Sequence, residues 1–136
     1  IYKDKQLLLL VPENLRCKIN IDIQKTLRVL DNLFVNAAKY SDEGAIISLN
    51  AYVDEGSNRL CIEVSDTGYG ISEQDLPNVF IRSYMCETAR TPDNKNSSGL
   101  GLCIAKTIVQ RQNGQIEVSS TLGVGTSFKI FFPTVQ

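Results

Sequence analysis

The sequence predicts an α+β protein, a two-layer sandwich in which helices cover one face of a mixed, mostly antiparallel sheet. Two stretches, Ile23 to about Tyr40 and about Leu100 to Gln112, have the apolar spacing of amphipathic helices. Between and after them, short alternating segments occur in pairs joined by turn residues, which is typical of hairpins. Hydrophobic residues form 43 % of the 136 residues and charged residues 21 %. We therefore expect one soluble globular domain that spans residues 1–136.

The first half of the chain is predicted to form two strands, a long helix and a hairpin. The apolar run Leu7–Val11 and the alternating segment Arg16–Ile21 are the expected strands. Asp22 stands where an N-cap is needed before the long helix. The hairpin has the arms Ala45–Val53 and Arg59–Ser65, which DEGSN connects.

The second half is predicted to contain a short helix, a loop, a longer helix and a closing hairpin. Glu73–Phe80 reads as the short helix, with Ser72 as its cap. The polar composition of Arg82–Ser98 predicts a mobile surface loop. Asn113–Gly114 is a stop signal for the longer helix. The closing hairpin is expected to pair Gln115–Ser120 with Thr126–Phe132 across a Gly-Val-Gly turn.

Composition excludes several classes of function. The chain contains no histidine, which rules out imidazole general bases, Ser-His-Asp systems and histidine-ligated metals within it. Fourteen basic against fifteen acidic residues leave a net charge of −1, so nothing favours binding to nucleic acid or to an anionic membrane. None of the four cysteines forms a CxxC pair, and a thiolate zinc site is not expected. We expect the cysteines to be reduced, with Cys61 and Cys103 in apolar surroundings.

The first helix carries the most informative pattern. At about 100° per residue, Arg28, Asn32, Asn36, Lys39 and Tyr40 fall on one stripe. A solvated helix face is one interpretation of this stripe. Asparagine is a poor helix former, however, and two of them four residues apart suit a ligand-facing helix, because amide oxygens can ligate a hard cation. The opposite side is expected to face the core, with Leu27, Leu30, Phe34, Ala37 and Ala38.

A second motif, Asp66-Thr67-Gly68-Tyr69-Gly70, follows directly on a strand. It is either an ordinary glycine turn or a site where the backbone approaches a planar ligand closely and Asp66 accepts from an exocyclic amine. Asp-Thr-Gly also resembles the aspartic protease signature. That chemistry needs two such aspartates in one site, so this chain would have to form a homodimer, and Tyr69-Gly70 fits that signature poorly.

The third motif is SSGLGLCIAK, residues 97–106, in which a Gly- and Ser-rich loop leads into a helix. Unpaired backbone N–H groups and the positive end of the helix dipole would meet there, which predicts an anion site, with phosphate as the obvious anion. Alone the signal is weak, because the segment lacks both the Rossmann spacing and the GK[ST] ending of a P-loop.

In order and spacing, these motifs resemble the ATP-binding catalytic domain of two-component sensor histidine kinases. This domain belongs to the gyrase–chaperone–histidine kinase (GHKL) ATPase superfamily and has the Bergerat-type fold. LDNLFVNAAKYS resembles the asparagine box, DTGYGIS and SSGLGLCIAK the two glycine boxes, and NVFIRSY the phenylalanine box. GVGTSFKIFFP resembles the closing hairpin. The resemblance covers nearly the whole chain and implies ATP and Mg²⁺ as cofactors.

The resemblance also assigns the phosphate end of the site. It implies that Asn36 ligates Mg²⁺ and that Asn32 supports it as a possible second ligand. Lys39 would reach a phosphate, and Arg82 would approach the γ-phosphate, which makes Asn36, Lys39 and Arg82 the catalytic residues. The triphosphate would be wrapped by the backbone of Ser98, Gly99, Leu100, Gly101 and Leu102.

At the adenine end, the resemblance implies that Tyr40 lies against the base and that Asp66 accepts from its amino group. The backbone of Gly68, Gly70 and Ile71 would allow close approach. Phe80 would anchor the lid over the nucleotide, and Thr126 would contact it from the closing hairpin. For Phe80 and Thr126, core packing and a hairpin turn explain the residue equally well.

Three positions separate this chain from other members of the superfamily. The ATP-hydrolysing branches resemble one another in having a glutamate one turn before the metal asparagine. Asn32 stands there instead, and an amide cannot deprotonate water, so transfer is favoured over hydrolysis. Ser97 and Ser83 replace a glycine and an aromatic residue that the family often has, which could alter nucleotide affinity.

A histidine kinase phosphorylates a histidine, and this chain has none. The resemblance implies that the acceptor lies on a dimerisation domain outside this chain, with a response regulator receiver domain as the next partner. The chain alone is not expected to autophosphorylate on histidine. We expect a cytoplasmic domain of a parent protein that is anchored in a membrane. A regulatory nucleotide-binding module and an anti-sigma-type serine kinase are the alternative functions.

Overall fold

The computed structural model describes residues 5–82 and 101–135. In these ranges, five strands form one sheet, in the order β1-β2-β3-β5-β4. The strands are β1 (Gln6–Leu10), β2 (Ile46–Asp54), β3 (Arg59–Asp66), β4 (Gln115–Thr121) and β5 (Gly125–Pro133). Only β1 pairs in parallel, with β2, and the other pairs are antiparallel. The predicted mixed, mostly antiparallel sheet is confirmed.

The central strands β3 and β5 join the two hairpins. Their register sets Asp66, the last residue of β3, opposite Thr126 at the beginning of β5. Ile47 of β2 pairs with Asp66 on its other side. This register places the DTGYG motif at one end of the sheet, between the two hairpins.

Two helices cover the same face of the sheet. Helix α1 spans Ile23–Lys39, and its predicted cap is confirmed, because an Asp22 side-chain oxygen accepts from the Lys25 N–H at 3.0 Å. Helix α2 spans Gly101–Arg111. Asn113, with φ 65°, supplies the left-handed residue that ends it. Gln112 bonds to Thr26 near the start of α1, whereas Gly101 meets the middle of α1. The two helices therefore run antiparallel.

The core lies between these helices and the sheet. It is built from the inward faces of both layers: Val29, Leu33, Ala37 and Ala38 of α1, Ala105 and Val109 of α2, and Ile47, Val64, Phe128, Ile130 and Phe132 of the strands. The expected core side of α1 was partly wrong, because Leu27 is 54 % exposed. The buried face is centred near Leu33, about 100° from Asn32. The stripe that contains Asn32 and Asn36 therefore lies next to the buried face of α1, not on the opposite side of the helix.

Two of the predicted elements differ in the structure. The expected strand Arg16–Ile21 is reduced to one bridge, between Ile19 and Thr134. Thr134 follows Pro133, which has no N–H to extend a ladder at this end of β5. The expected helix Glu73–Phe80 is a single 3₁₀ turn, Leu76–Asn78. Pro77 within it lacks the N–H that a continuing helix requires. Most of the expected loop Arg82–Ser98 lies outside the described residues.

Candidate functional site

Helices α1 and α2 meet through an asparagine. The Asn32 side-chain N–H₂ donates to the Gly101 carbonyl oxygen at 3.2 Å, and Asn32 is half-buried. Only a side chain with a donor can make this bond, so a carboxylate could not replace Asn32 in it. The contact ties the middle of α1 to the beginning of α2, which joins the first and third sequence motifs in space.

Asn36, Lys39 and Tyr40 continue along α1 from this contact. Asn36 is half-buried, and its side-chain amide makes no hydrogen bond to any other residue in the described part of the chain. Lys39 is exposed in the last turn, and Tyr40 is the half-buried C-cap, whose N–H donates to the Asn36 carbonyl oxygen. The predicted stripe is therefore brought to one edge of the core, with the Asn36 amide available to a ligand.

Asp66 is the titratable group at the sheet end of the site. One of its side-chain oxygens accepts from the Gly68 N–H at 2.8 Å. Burial raises the pKa of the Asp66 carboxyl above its ordinary value, while the backbone N–H groups of Gly68 and Thr126 act in the opposite direction. A carboxylate that is poor in solvent and has acceptor capacity left suits a ligand that donates a hydrogen bond.

Gly68 brings this motif against the end of α1. The Tyr69 N–H donates to the Tyr40 carbonyl oxygen at 3.0 Å. A Cβ on Gly68 would lie 2.4 Å from that oxygen and 2.8 Å from an Asp66 carboxyl oxygen. The glycine is therefore required by the chain's own packing, whatever the ligand. It holds Tyr40 and Asp66 in one site.

Ser120 fastens the rest of the motif to the closing hairpin. Its hydroxyl accepts from the Ile71 N–H at 2.7 Å and lies 2.8 Å from both the Gly125 carbonyl oxygen and the Thr126 hydroxyl. Thr126 is buried, in keeping with the hairpin interpretation. Sequence reasoning missed Ser120, because a serine at the end of a strand carries no motif of its own.

Gly70 makes the second close approach. It has φ +77°, and a Cβ there would lie 2.2 Å from the Thr121 carbonyl oxygen. The Gly123 N–H donates to the Tyr69 carbonyl oxygen nearby. Both glycines of the motif are thus explained by contacts within the protein.

Phe80 and Arg82 lie beyond the motif. Phe80 packs on the core, edge-on to Phe128 with ring centroids 6.1 Å apart, and the Lys106 ammonium lies 5.1 Å from its ring centroid. Arg82 is exposed and lines a groove between the helices. Further predicted contacts lie outside the described residues: Ser98, Gly99 and Leu100, with the substitutions at Ser83 and Ser97. Leu102, at the beginning of α2, packs against the core.

The donor groups in the described residues suit a magnesium ion that takes most of its ligands from elsewhere. Within residues 5–82 and 101–135 there is no group of three or more Asp, Glu, Cys or His side chains that could hold a metal. The unpaired Asn36 amide offers one oxygen ligand. Mg²⁺ typically takes few protein ligands and completes its shell with waters and substrate phosphates, so this sparse donor set fits.

The described site has an acidic group at the sheet end and the N-terminus of α2 at the other end, an arrangement in an α+β domain that suits a nucleotide. Residues 21–136 match the family described as histidine kinase-, DNA gyrase B- and HSP90-like ATPases, and the chain belongs to that family. It is 41 % identical over 115 residues to the sensor histidine kinase WalK of Bacillus subtilis (strain 168). That alignment covers 85 % of this chain and 19 % of WalK. It is 39 % identical over 112 residues to the sensor protein SrrB of Staphylococcus aureus (strain NCTC 8325 / PS 47), and that alignment covers 82 % of this chain and 19 % of SrrB.

Solved structures agree with this assignment. The mycobacterial sensor histidine kinase MprB is similar with a TM-score of 0.81 and 26 % identity, over 96 % of this chain and 84 % of that one. The structure of full-length ShkA in complex with AMPPNP has a TM-score of 0.80 at 24 % identity and supports the fold. The match covers 97 % of this chain and 26 % of ShkA. The chain is thus the ATP-binding domain of the histidine kinase branch, and it spans about a fifth of the length of the curated relatives it matches. No helix in the described ranges is long and apolar enough to cross a membrane.

Proposed function

We propose that this domain binds Mg·ATP between α1, the DTGYG motif and the beginning of α2, and transfers the γ-phosphate to a histidine outside this chain. The hydrogen bond from Asn32 to Gly101 carries the proposal. It sets the unpaired Asn36 amide beside the N-terminal end of α2, where the helix dipole favours a phosphate.

At the adenine end, Asp66 accepts a hydrogen bond from the exocyclic amino group, with Tyr40 against the base. The support is the arrangement of these residues: the Tyr69–Tyr40 backbone bond and the close approach at Gly68 hold them together. The backbone of Gly68, Gly70 and Ile71 lines the same end, fixed by Ser120. Low solvent access at Asp66 strengthens such a hydrogen bond.

At the phosphate end, Asn36 offers its amide oxygen to the metal and Lys39 offers a cation to a phosphate. When bound, Mg²⁺ would neutralise charge on the phosphates. Asn32 has its N–H₂ engaged with Gly101 and keeps its oxygen as a possible second ligand. Arg82, together with the residues from Ser98 to Leu102, is proposed to complete the triphosphate contacts.

The transfer step forms a bond between an imidazole nitrogen and the γ-phosphorus and breaks the bond from that phosphorus to the β,γ-bridging oxygen, so that ADP leaves. The chain's residues hold the phosphates for in-line attack. Asn32 cannot take a proton from water, so hydrolysis by this domain should be slow. The partners proposed are a dimerisation and phosphoacceptor domain and a receiver domain, and the setting is the cytoplasmic side of a membrane-anchored parent.

Thermal unfolding with a non-hydrolysable ATP analogue tests the binding half of this proposal. A ligand at 100-fold excess over its Kd adds about 2.7 kcal/mol of stability. We expect the wild type to show this shift with Mg²⁺ and Asn36→Ala to lose the magnesium-dependent part. Asn50→Ala, a half-buried asparagine on the other sheet face, is the control. An equal magnesium effect in Asn36→Ala would contradict the assignment.

Labelled ATP tests the transfer half. Incubation with the full-length parent protein should give acid-labile phosphohistidine, and incubation with this chain alone should give none. Nucleotide binding without phosphohistidine in the parent would instead establish a regulatory nucleotide-binding module. Phosphoserine on a protein partner would establish a serine kinase of the anti-sigma type.

A further inference from the structure

A cavity lies between the two helices, away from the Asp66 end of the site. It is a groove of about 510 Å³. It begins one helical turn beyond the Asn32–Gly101 contact and runs toward the N-terminus of α1 and the C-terminus of α2. Its apolar floor comes from Cys103, Ile104 and Ile108 of α2.

The walls of this groove are strongly basic. Lys25 and Arg28 stand on α1, Arg111 stands on α2, and Arg82 closes one side, with Asp22 as the one carboxylate among the lining residues. Within residues 5–82 and 101–135, none of these four cations pairs with a carboxylate, since the single ion pair found there joins Lys129 to Glu63. A chain of net charge −1 thus collects unneutralised positive charge in one place.

Helix stability does not explain the cations on α1. The first turn of α1 contains no acidic residue, and Lys25 occupies it, with Arg28 in the next turn. Lys25 opposes the helix dipole at this end, whereas Arg28 lies beyond the turn in which the dipole acts. Arg111, in the last turn of α2, has the favourable arrangement, and Asp22 is occupied as the N-cap of α1. Interaction with the helix dipole therefore explains neither Lys25, which it opposes, nor Arg28, which it does not reach.

We infer that the groove docks an acidic segment of a protein partner, with an apolar side chain on the floor and carboxylates against the two basic walls. Charge complementarity carries this inference: cations on both sides of an apolar floor match a side chain flanked by carboxylates. A small anion would leave the floor of Ile104 and Ile108 uncovered. Of the residues proposed to contact the nucleotide, only Arg82 also lines this groove, and the inference holds whether or not this domain transfers phosphate.

The charge-reversing double variant Lys25→Glu/Arg28→Glu tests this inference without threatening the fold. Lys25→Glu places an acidic side chain in the first turn of α1, where the dipole favours it, and Arg28→Glu changes an exposed side chain in the next turn. Its Tm should therefore equal or exceed that of the wild type. Lys18→Glu, an exposed cation outside the groove, is the matched control. Arg82 stays unchanged because it is assigned to the nucleotide.

The probe is a short labelled peptide in which leucines are flanked by glutamates, measured by fluorescence anisotropy. We expect the wild type and Lys18→Glu to bind it, with an affinity that falls as salt is raised, and the double variant to bind roughly tenfold more weakly or worse. A peptide with lysine in place of each glutamate should not bind to the wild type. In NMR spectra, the acidic peptide should shift the signals of Ile104, Thr107 and Ile108.

Three results would overturn the inference. The first is no binding of the acidic peptide to the folded wild type, and the second is equal binding to the double variant. The third is binding of anionic lipid vesicles, weakened in the double variant, without binding of the peptide, which would make the groove a membrane contact. Nucleotide affinity, measured in parallel, should be the same in the double variant and the wild type. The two proposals can therefore fail separately.

Discussion

Replacing Asp66 by asparagine separates the charge of this side chain from its structural hydrogen bond. One carboxyl oxygen accepts from the Gly68 N–H at 2.8 Å, and the asparagine oxygen can still do so. The other oxygen becomes an N–H₂ group. If Asp66 accepts from the adenine amino group, Asp66→Asn sets one donor against another at that contact.

The expected loss follows from this geometry. A charge-assisted hydrogen bond is replaced by two donors that face each other in a poorly solvated place. This should cost about 2 to 3 kcal/mol of binding free energy, which raises Kd roughly 30- to 150-fold. At an analogue concentration of 100 times the wild-type Kd, stabilisation should fall from about 2.7 kcal/mol to about 0.4 kcal/mol for a hundredfold loss. For a domain of this size, the Tm shift would drop from about 9 °C to about 1 °C.

The assay is thermal unfolding with and without the analogue, backed by calorimetric titration. Asp54→Asn is the matched control, because its carboxyl oxygen accepts from the Gly56 N–H at 3.1 Å in the same two-residue turn. Asp54 lies at the opposite end of the hairpin formed by β2 and β3. A Tm shift in Asp66→Asn equal to those of the wild type and the control would refute the adenine contact.

Three other substitutions or conditions test the architecture of the site. Gly68→Ala should lower stability by about 2 kcal/mol or more, because its Cβ would be 2.4 Å from a backbone oxygen. Gly56→Ala, with its nearest contact at 3.4 Å, should change stability far less, and equal Tm values would contradict the packing argument. Asn32→Asp should lower the Tm by about 4 °C or more without nucleotide, because it sets a carboxylate against the Gly101 carbonyl. An unchanged Tm would show that the Asn32–Gly101 bond contributes nothing. Since burial raises the pKa of Asp66, the native state holds this proton more tightly than the unfolded chain. The ionised carboxylate therefore destabilises the fold above the native pKa and has no such effect below the unfolded value of 3.8. Asp66→Asn should accordingly match or exceed the wild-type Tm near pH 7, and this advantage should vanish as the pH falls below that value. An advantage that persists unchanged in acid would contradict the burial of Asp66.

The elements with strong local signals were predicted correctly. The Asp22 cap and the periodicity after it fixed the beginning of α1, and both hairpins lie where alternation and turn residues indicated. Local signals were insufficient where the formation of a strand depended on pairing with another segment of the chain. Arg16–Ile21 alternates like a strand, yet its only ladder contact among the described residues is the bridge from Ile19 to Thr134.

The side of α1 that faces the core could not be predicted from periodicity alone. A helical wheel shows which residues share a face, but the direction of that face depends on what packs against it. Here α1 is covered by both the sheet and α2. Leu27 is therefore exposed, while the polar Thr26 is buried, where its hydroxyl accepts from Gln112.

The sequence by itself determined which family this protein belongs to and which catalytic systems it cannot contain. The absence of histidine excluded several catalytic systems, and the ordered boxes with an asparagine at position 32 indicated the family and favoured transfer over hydrolysis. These inferences depend on residue type and spacing, which can be read directly from the sequence. Only the tertiary structure decided which contacts hold the site together. The Asn32–Gly101 bond, the Ser120 hydroxyl bonds and the basic groove join residues far apart in the chain, and such contacts depend on how helices and hairpins pack on one another.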